Sequence, residues 1–251
     1  MIKVSDVYNF IDSFAPYSTQ AEFDNSGYMI GDKSAKVKRI LVSLDLTADV
    51  LRQAKENSAD LIVTHHPVIF QPLHSVMSGT VVYNTVQSGI SVISAHTNLD
   101  IAENGVNTAL VNALGIKEYS VSEADPFIKI AQTEPLDSTQ LVRKVSSGLD
   151  CAVQFNNVRR KVSRIGFCSG AGSFCLYQAI EEGVDAFITG EAKYNCFSDA
   201  EEKNVLLICA GHFDTENIIV PVLAKMLREH FKDIEVIESK EKNPVNTYTN
   251  K

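Results

Sequence analysis

Leu61-Ile62-Val63-Thr64-His65-His66-Pro67 is a short apolar, β-branched run that ends in two imidazoles and a proline. A run of this kind predicts a strand over Leu61–Thr64 buried on both faces, as in a parallel sheet covered by helices. Arg39–Leu44, Ser91–Ala95, Phe127–Gln132, Ser163–Cys168, Ala186–Thr189 and Val205–Ala210 are the other candidate strands. Helical patterns lie among them at Val4–Phe14, Ala48–Asn57, Val106–Leu114, Thr139–Leu149, Phe174–Glu182 and Glu216–Phe231. Thr47 and Asp137 or Ser138 suit N-caps, while Gly115 and Gly183 suit C-terminal stops. The alternation predicts an α/β architecture with largely parallel, helix-covered strands.

A chain of 251 residues can bury a proper core, and 45% hydrophobic with 22% charged residues is ordinary for a globular protein. The formal charge of −8 argues against nucleic acid as a partner, because phosphate binding needs a basic stripe. No apolar run approaches the ~20 residues that span a bilayer, so no membrane association is expected. The opening residues carry Lys3, Asp6 and Asp12 at helical spacing and show no secretory pattern, which predicts a cytoplasmic protein. The five cysteines are odd in number and form no C-x-x-C pair, so reduced thiols are expected rather than disulfides or a sulfur metal site.

Lys117–Pro126 is polar and ends in proline, which marks it as a connection between two lobes. Asn156–Lys161 reads as a turn, and the hydrophilic tail from Lys240 onward as surface. Pro221 falls inside the apolar pattern of the last long helix; it predicts a kink there or a later start.

Four of the six histidines lie where apolar strands run into polar turns. Beside His65-His66 stand His96-Thr97-Asn98-Leu99-Asp100, after Val92–Ala95, and Gly211-His212-Phe213-Asp214-Thr215-Glu216, after Leu207–Ala210. The carboxyl ends of parallel strands share one sheet edge, where ligands collect. Adjacent strand residues point to opposite faces. By that rule His65 and His66 suit two ions, one each, better than one ion. His212 and Glu216 are four apart at a helix start, which puts both on one face. The helix dipole accounts for acidic residues there but not for a histidine at the strand end. His74 and His230 lack such a setting and read as a loop residue and an exposed or partly packed helix residue. The turn Cys168-Ser169-Gly170-Ala171-Gly172-Ser173 is either a plain tight turn or a phosphate-binding loop, although it lacks a Walker lysine.

Asp24-Asn25-Ser26-Gly27, Ser43-Leu44-Asp45, Thr64–Pro67 running into Ile69-Phe70-Gln71-Pro72-Leu73, His96–Asp100 and Gly211–Glu216 together resemble the GTP cyclohydrolase 1 type 2 homologue family, the NIF three-like proteins. The resemblance covers nearly the whole chain. It implies a two-lobed α/β fold with mixed, mostly parallel sheets. Residues 1–124 and 212–251 would form one lobe and 125–211 the other, with no inserted third domain. It also implies a toroidal homohexamer with a two-metal site facing the inner cavity.

Carried over by position, the resemblance puts His66 and Asp100 on one ion and His65 and His212 on the other, with Glu216 bridging. His96 then stands behind the ligands or carries a proton near the substrate rather than binding an ion itself, and Asp45 borders the cavity. Zinc, iron and manganese all suit two divalent ions in such an N/O donor set. A metal pair of this kind activates water for hydrolysis. The family name implies ring-opening hydrolysis of GTP with release of formate, or attack on a related nucleotide or small phosphorylated substrate. The other expectation is a non-catalytic metal-handling or regulatory assembly. Relatives commonly carry histidine where this chain has Asn195, and aspartate where it has Glu191. Asn195 cannot act as an acid or base near neutral pH.

Overall fold

Apolar, β-branched runs and helical amphipathic patterns alternate through the chain, and the computed structural model, which describes residues 1–248, follows them closely. In chain order the elements begin α1 (Val4–Phe14), β1 (Gly27–Ile30), β2 (Arg39–Ser43), α2 (Ala48–Glu56) and β3 (Leu61–Thr64). Next come α3 (Val81–Ser88), β4 (Ser91–Ser94), α4 (Thr97–Ile101), α5 (Val106–Ala113), β5 (Tyr119–Val121) and β6 (Lys129–Asp137). They continue as α6 (Ser138–Leu149), β7 (Gln154–Phe155), β8 (Lys161–Cys168), α7 (Leu176–Glu181), β9 (Ala186–Thr189) and α8 (Tyr194–Glu202). The last are β10 (Leu206–Cys209), α9 (His212–Glu216), α10 (Ile219–His230) and β11 (Glu235–Glu238).

Contacts divide the chain into two compact units. One comprises Met1–Asn104 with Ile219–Lys242, the other Gly105–Ile218 with residues 243–248. The sequence places the lobe boundaries near 124/125 and 211/212, whereas the units exchange at 104/105 and 218/219. The reason is packing. Leu110, Val111 and Leu114 on and just after α5 bury in the same core as Leu141, Val162 and Phe167 of the second unit.

The first unit is built on a five-stranded sheet of order β1-β4-β3-β2-β11. β4, β3, β2 and β11 are parallel, and β1 pairs antiparallel with β4. β3 and β4 are buried along their whole length, which is why neither alternates polar and apolar residues. The second unit has a six-stranded sheet of order β5-β6-β8-β9-β10-β7. Only β8, β9 and β10 run parallel there; β5, β6 and β7 join antiparallel. This sheet is therefore mixed, with more antiparallel pairings than the largely parallel pattern predicts.

Local signals act as their chemistry requires. The Thr47 hydroxyl accepts from the Val50 N–H at 3.1 Å and caps α2. Asp137 and Gln140 form a reciprocal capping box at the start of α6. Gly115 and Gly183 take φ of +68° and +76° just past helix ends. Pro221 produces no interior kink, because α10 starts at Ile219 and the proline falls in its first turn, where an N–H has no intrahelical partner.

Two expectations are corrected. Lys117–Pro126 is not only a linker, since Tyr119–Val121 pairs antiparallel with Lys129–Ala131 as β5. Nor is the tail from Lys240 simply surface, because Glu241 and Asn243 make specific side-chain bonds. β1, β7 and β11 escape a pattern search because none is buried along its length. Among the described residues no helix is long and apolar enough to cross a membrane.

Candidate metal centre

β3 stops at Thr64, and the chain bends through His65 and His66. The bend is fixed by the Thr64 hydroxyl, which donates to the His66 carbonyl at 2.7 Å, and by the His65 and His66 N–H groups, which donate to the Ser43 and Leu44 carbonyls. Strand alternation therefore no longer governs the pair. Instead of facing opposite ways, the two rings converge, with centroids 5.0 Å apart. His96, just past β4, joins them, and the three imidazoles offer nitrogen atoms within 4.8 Å of one another.

Each of these rings has its Nδ1 engaged. His65 is fully buried, and its Nδ1 lies 2.9 Å from the Ala95 carbonyl oxygen. A carbonyl can only accept, so Nδ1 carries the hydrogen and Nε2 is the ring's other nitrogen, turned towards Asp100. His66 Nδ1 lies 2.8 Å from Asp45 Oδ1, and His96 Nδ1 lies 2.8 Å from Asp24 Oδ1. A carboxylate or carbonyl behind the ring fixes the tautomer and direction of a metal-ligating histidine and raises its basicity.

Asp24 is itself held firmly. Its carboxylate accepts from the Thr97 hydroxyl and N–H, the Ser26 hydroxyl and the Asn25 N–H. Burial pushes the Asp24 carboxyl up, but the His96 imidazole and the Thr97 and Ser26 hydroxyls outweigh it and hold it well below the usual carboxylate range. Ser26 also accepts from the His96 N–H at 3.0 Å, and the Asn25 amide donates to the Ile69 carbonyl at 2.6 Å. The Asp24-Asn25-Ser26 stretch thus serves His96 and the loop that carries Phe70.

Asp100 sits on α4, buried, with Oδ1 3.5 Å from His65 Nε2. Asp45 follows the end of β2, and its N–H and that of Leu44 donate to the Glu241 carboxylate at 3.0 and 2.8 Å. Sequence patterns assign Glu241 no role. Its only local signal is a charge in a polar tail, and its partner is 196 residues away.

In the second unit, Gly211 takes φ of +84° and turns the chain from β10 into the one-turn helix α9. His212 and Glu216 share a face of that helix, with Nε2 3.0 Å from Oε2. Glu216 is buried. Glu191 Oε1 lies 3.4 Å from His212 Nδ1, the third carboxylate set behind a candidate ligand ring. Asn195 is exposed in the first turn of α8.

The donor set is imidazole nitrogen and carboxylate oxygen, which suits first-row divalent metals. Cysteine does not compete: Cys168, Cys175, Cys196 and Cys209 are buried, and burial pushes the Cys209 thiol up to about 12. His74 lies in an exposed loop, and His230 stacks on Phe10 with centroids 4.0 Å apart. In the Cys168–Ser173 turn the Ser169 and Gly170 N–H groups donate to Asn107 Oδ1 and Thr215 Oγ1, which takes two donors away from a phosphate loop.

The whole pattern, from Ile2 to Pro244, matches the model of the Duf34/NIF3 (NGG1p interacting factor 3) family. The chain belongs to this family. It is 33% identical over 240 residues to the GTP cyclohydrolase 1 type 2 homolog of Clostridium acetobutylicum, covering 90% of each chain. It is 30% identical over 254 residues to the protein of the same name from Clostridium perfringens, covering 96% of this chain and 97% of that one. The fold agrees with the crystal structure of a Bacillus cereus protein related to NIF3, with a TM-score of 0.91, 18% identity and 99% of each chain covered. The mixed α/β architecture inferred from sequence is thus the architecture of the Duf34/NIF3 family.

Proposed function

We propose that this chain is a dinuclear metal protein that hydrolyses a nucleotide or another small phosphorylated or ring-amide substrate. His65, His66 and Asp100 supply the first unit's donors, and His212 and Glu216 the second unit's, in the allocation that the family resemblance implies. The observation that carries the reading is the Nδ1 contacts: each of His65, His66 and His96 has an oxygen at 2.8 or 2.9 Å behind it. Three neighbouring imidazoles held through the same nitrogen fit two metal ligands, His65 and His66, with a proton carrier, His96, beside them.

When bound, two such ions polarise a substrate oxygen and lower the pKa of water into the neutral range. The remaining work falls to protein groups. Burial of His65, Asp100 and Glu216 fixes their direction and keeps bulk water from competing for them. His96 Nε2 takes or gives the substrate's proton, while the Asp24 carboxylate holds the ring in place. Divalent zinc, iron and manganese are the candidate ions, and a closed homo-oligomer, a hexamer by resemblance, is the expected assembly.

Metal-loaded protein incubated with GTP and other nucleotides should release formate or phosphate faster than the His65→Ala, Glu216→Ala double variant. Equal rates would reject catalysis. Asn195 supports a second reading, a non-catalytic metal-handling or regulatory role, because it leaves this position without the acid-base group common in relatives. On that reading chelation changes oligomer size and melting temperature but no reaction rate.

A further inference from the structure

We infer that Gly170 is a positioning residue for Glu216 and His212, so that the glycine-rich turn after β8 serves the metal ligands rather than a phosphate. The inference rests on the assignment of those two side chains as ligands. Gly170 is buried and takes φ of +56°, a conformation that favours glycine. A Cβ at this position would overlap Glu216 Oε1, and would lie 2.8 Å from Glu216 Cδ and 3.2 Å from His212 Nε2. The bare Cα is therefore the surface against which both donors pack.

The turn cannot retreat to make room. The Gly170 N–H donates to Thr215 Oγ1 at 3.0 Å. Its carbonyl accepts from the Glu191 N–H at 2.9 Å and from the Thr189 hydroxyl at 3.3 Å. Thr215 precedes Glu216 directly and donates its hydroxyl to the carbonyls of Gly211 and His212. Gly190 closes the other side, where a Cβ would meet the Gly170 carbonyl carbon at 3.0 Å and Thr215 Oγ1 at 2.8 Å. Two glycines and one threonine thus clamp α9 to the turn. Any side chain at 170 must push the carboxylate, because the backbone is tied at both ends.

The test is cobalt binding to the full chain, followed by competition with a chromophoric chelator and by the cobalt d–d absorption bands. Gly183→Ala is the control for backbone strain, since Gly183 has φ of +76° and nothing within 4 Å of an added Cβ. Gly183→Ala should bind cobalt as the wild type does, with the same bands. Gly170→Ala should bind at least tenfold more weakly with altered bands, and Gly170→Ala combined with Glu216→Asp, one methylene shorter, should recover part of the loss. If Gly170→Ala does not fold, Thr215→Val should weaken binding several-fold and Thr215→Ser should restore it. Wild-type affinity and bands in folded Gly170→Ala would overturn the inference, as would wild-type binding by Thr215→Val. Glu216→Ala separates the two levels. If it too binds as the wild type does, the ligand assignment itself fails; if it loses cobalt while Gly170→Ala does not, only the positioning role fails.

Discussion

Asp45 Oδ1 stands 2.8 Å behind His66 Nδ1, and the Asp45 backbone is in turn gripped by the Glu241 carboxylate. A strand end, an imidazole and the chain's last segment are linked in this way within one compact unit. A histidine at a bend would otherwise have rotamer freedom, and the hydrogen bond removes it before any ion arrives.

Asp45→Ala should lower divalent metal affinity about 10–100-fold, the usual effect of losing the acceptor behind a ligating imidazole. Asp45→Asn should cost less, because its carbonyl can still accept from Nδ1. Competition titration with a chelator measures both, and a far-ultraviolet spectrum checks that the fold is retained.

Glu241→Ala should lower the melting temperature by a few degrees and weaken metal binding less than Asp45→Ala does. It removes two charge-assisted bonds to the Leu44 and Asp45 N–H groups and one from the Ser239 hydroxyl. Differential scanning calorimetry reads the first effect and the chelator titration the second. An unchanged melting temperature would show that the tail contributes nothing to this end of β2.

Asp185 gives the second unit a pH dependence whose sign is fixed. Burial pushes its carboxyl up, but the Arg164 and Ser163 N–H groups, the Arg160 guanidinium and the Ser163 hydroxyl outweigh it and lower the pKa. A carboxyl lowered in the folded state adds stability that is present above the unfolded value of about 4. That contribution is lost as pH falls through the folded value. Urea unfolding should therefore show Asp185→Asn less stable than wild type at pH 7, with the gap narrowing towards pH 3. A gap that widened on acidification would contradict this.

What the sequence discloses and what it hides follow from range. Leu61–Thr64 and Ala186–Thr189 read as strands because continuous burial leaves a continuous apolar run, and the structure ends both at the residues expected. His212 and Glu216 meet because a four-residue helical spacing is local. The convergence of His65 and His66 is hidden, since it depends on a bend set by the Thr64 hydroxyl and the end of β2. Asp24 behind His96 and Glu241 behind Asp45 are hidden for another reason. Hydrogen-bond partners 72 and 196 residues apart leave no periodicity in the chain. Edge strands such as Glu235–Glu238 carry charges at their ends, which erase the apolar signal while discouraging further pairing.

The most direct measurement is the metal content of the purified chain by inductively coupled plasma mass spectrometry after loading with a divalent ion and desalting. About two equivalents per chain are expected, with His65→Ala and Glu216→Ala each losing bound metal and a Cys209→Ala control unchanged. One equivalent or fewer in the wild type, or full occupancy in both ligand variants, would contradict a paired-ion centre held by these imidazoles and carboxylates.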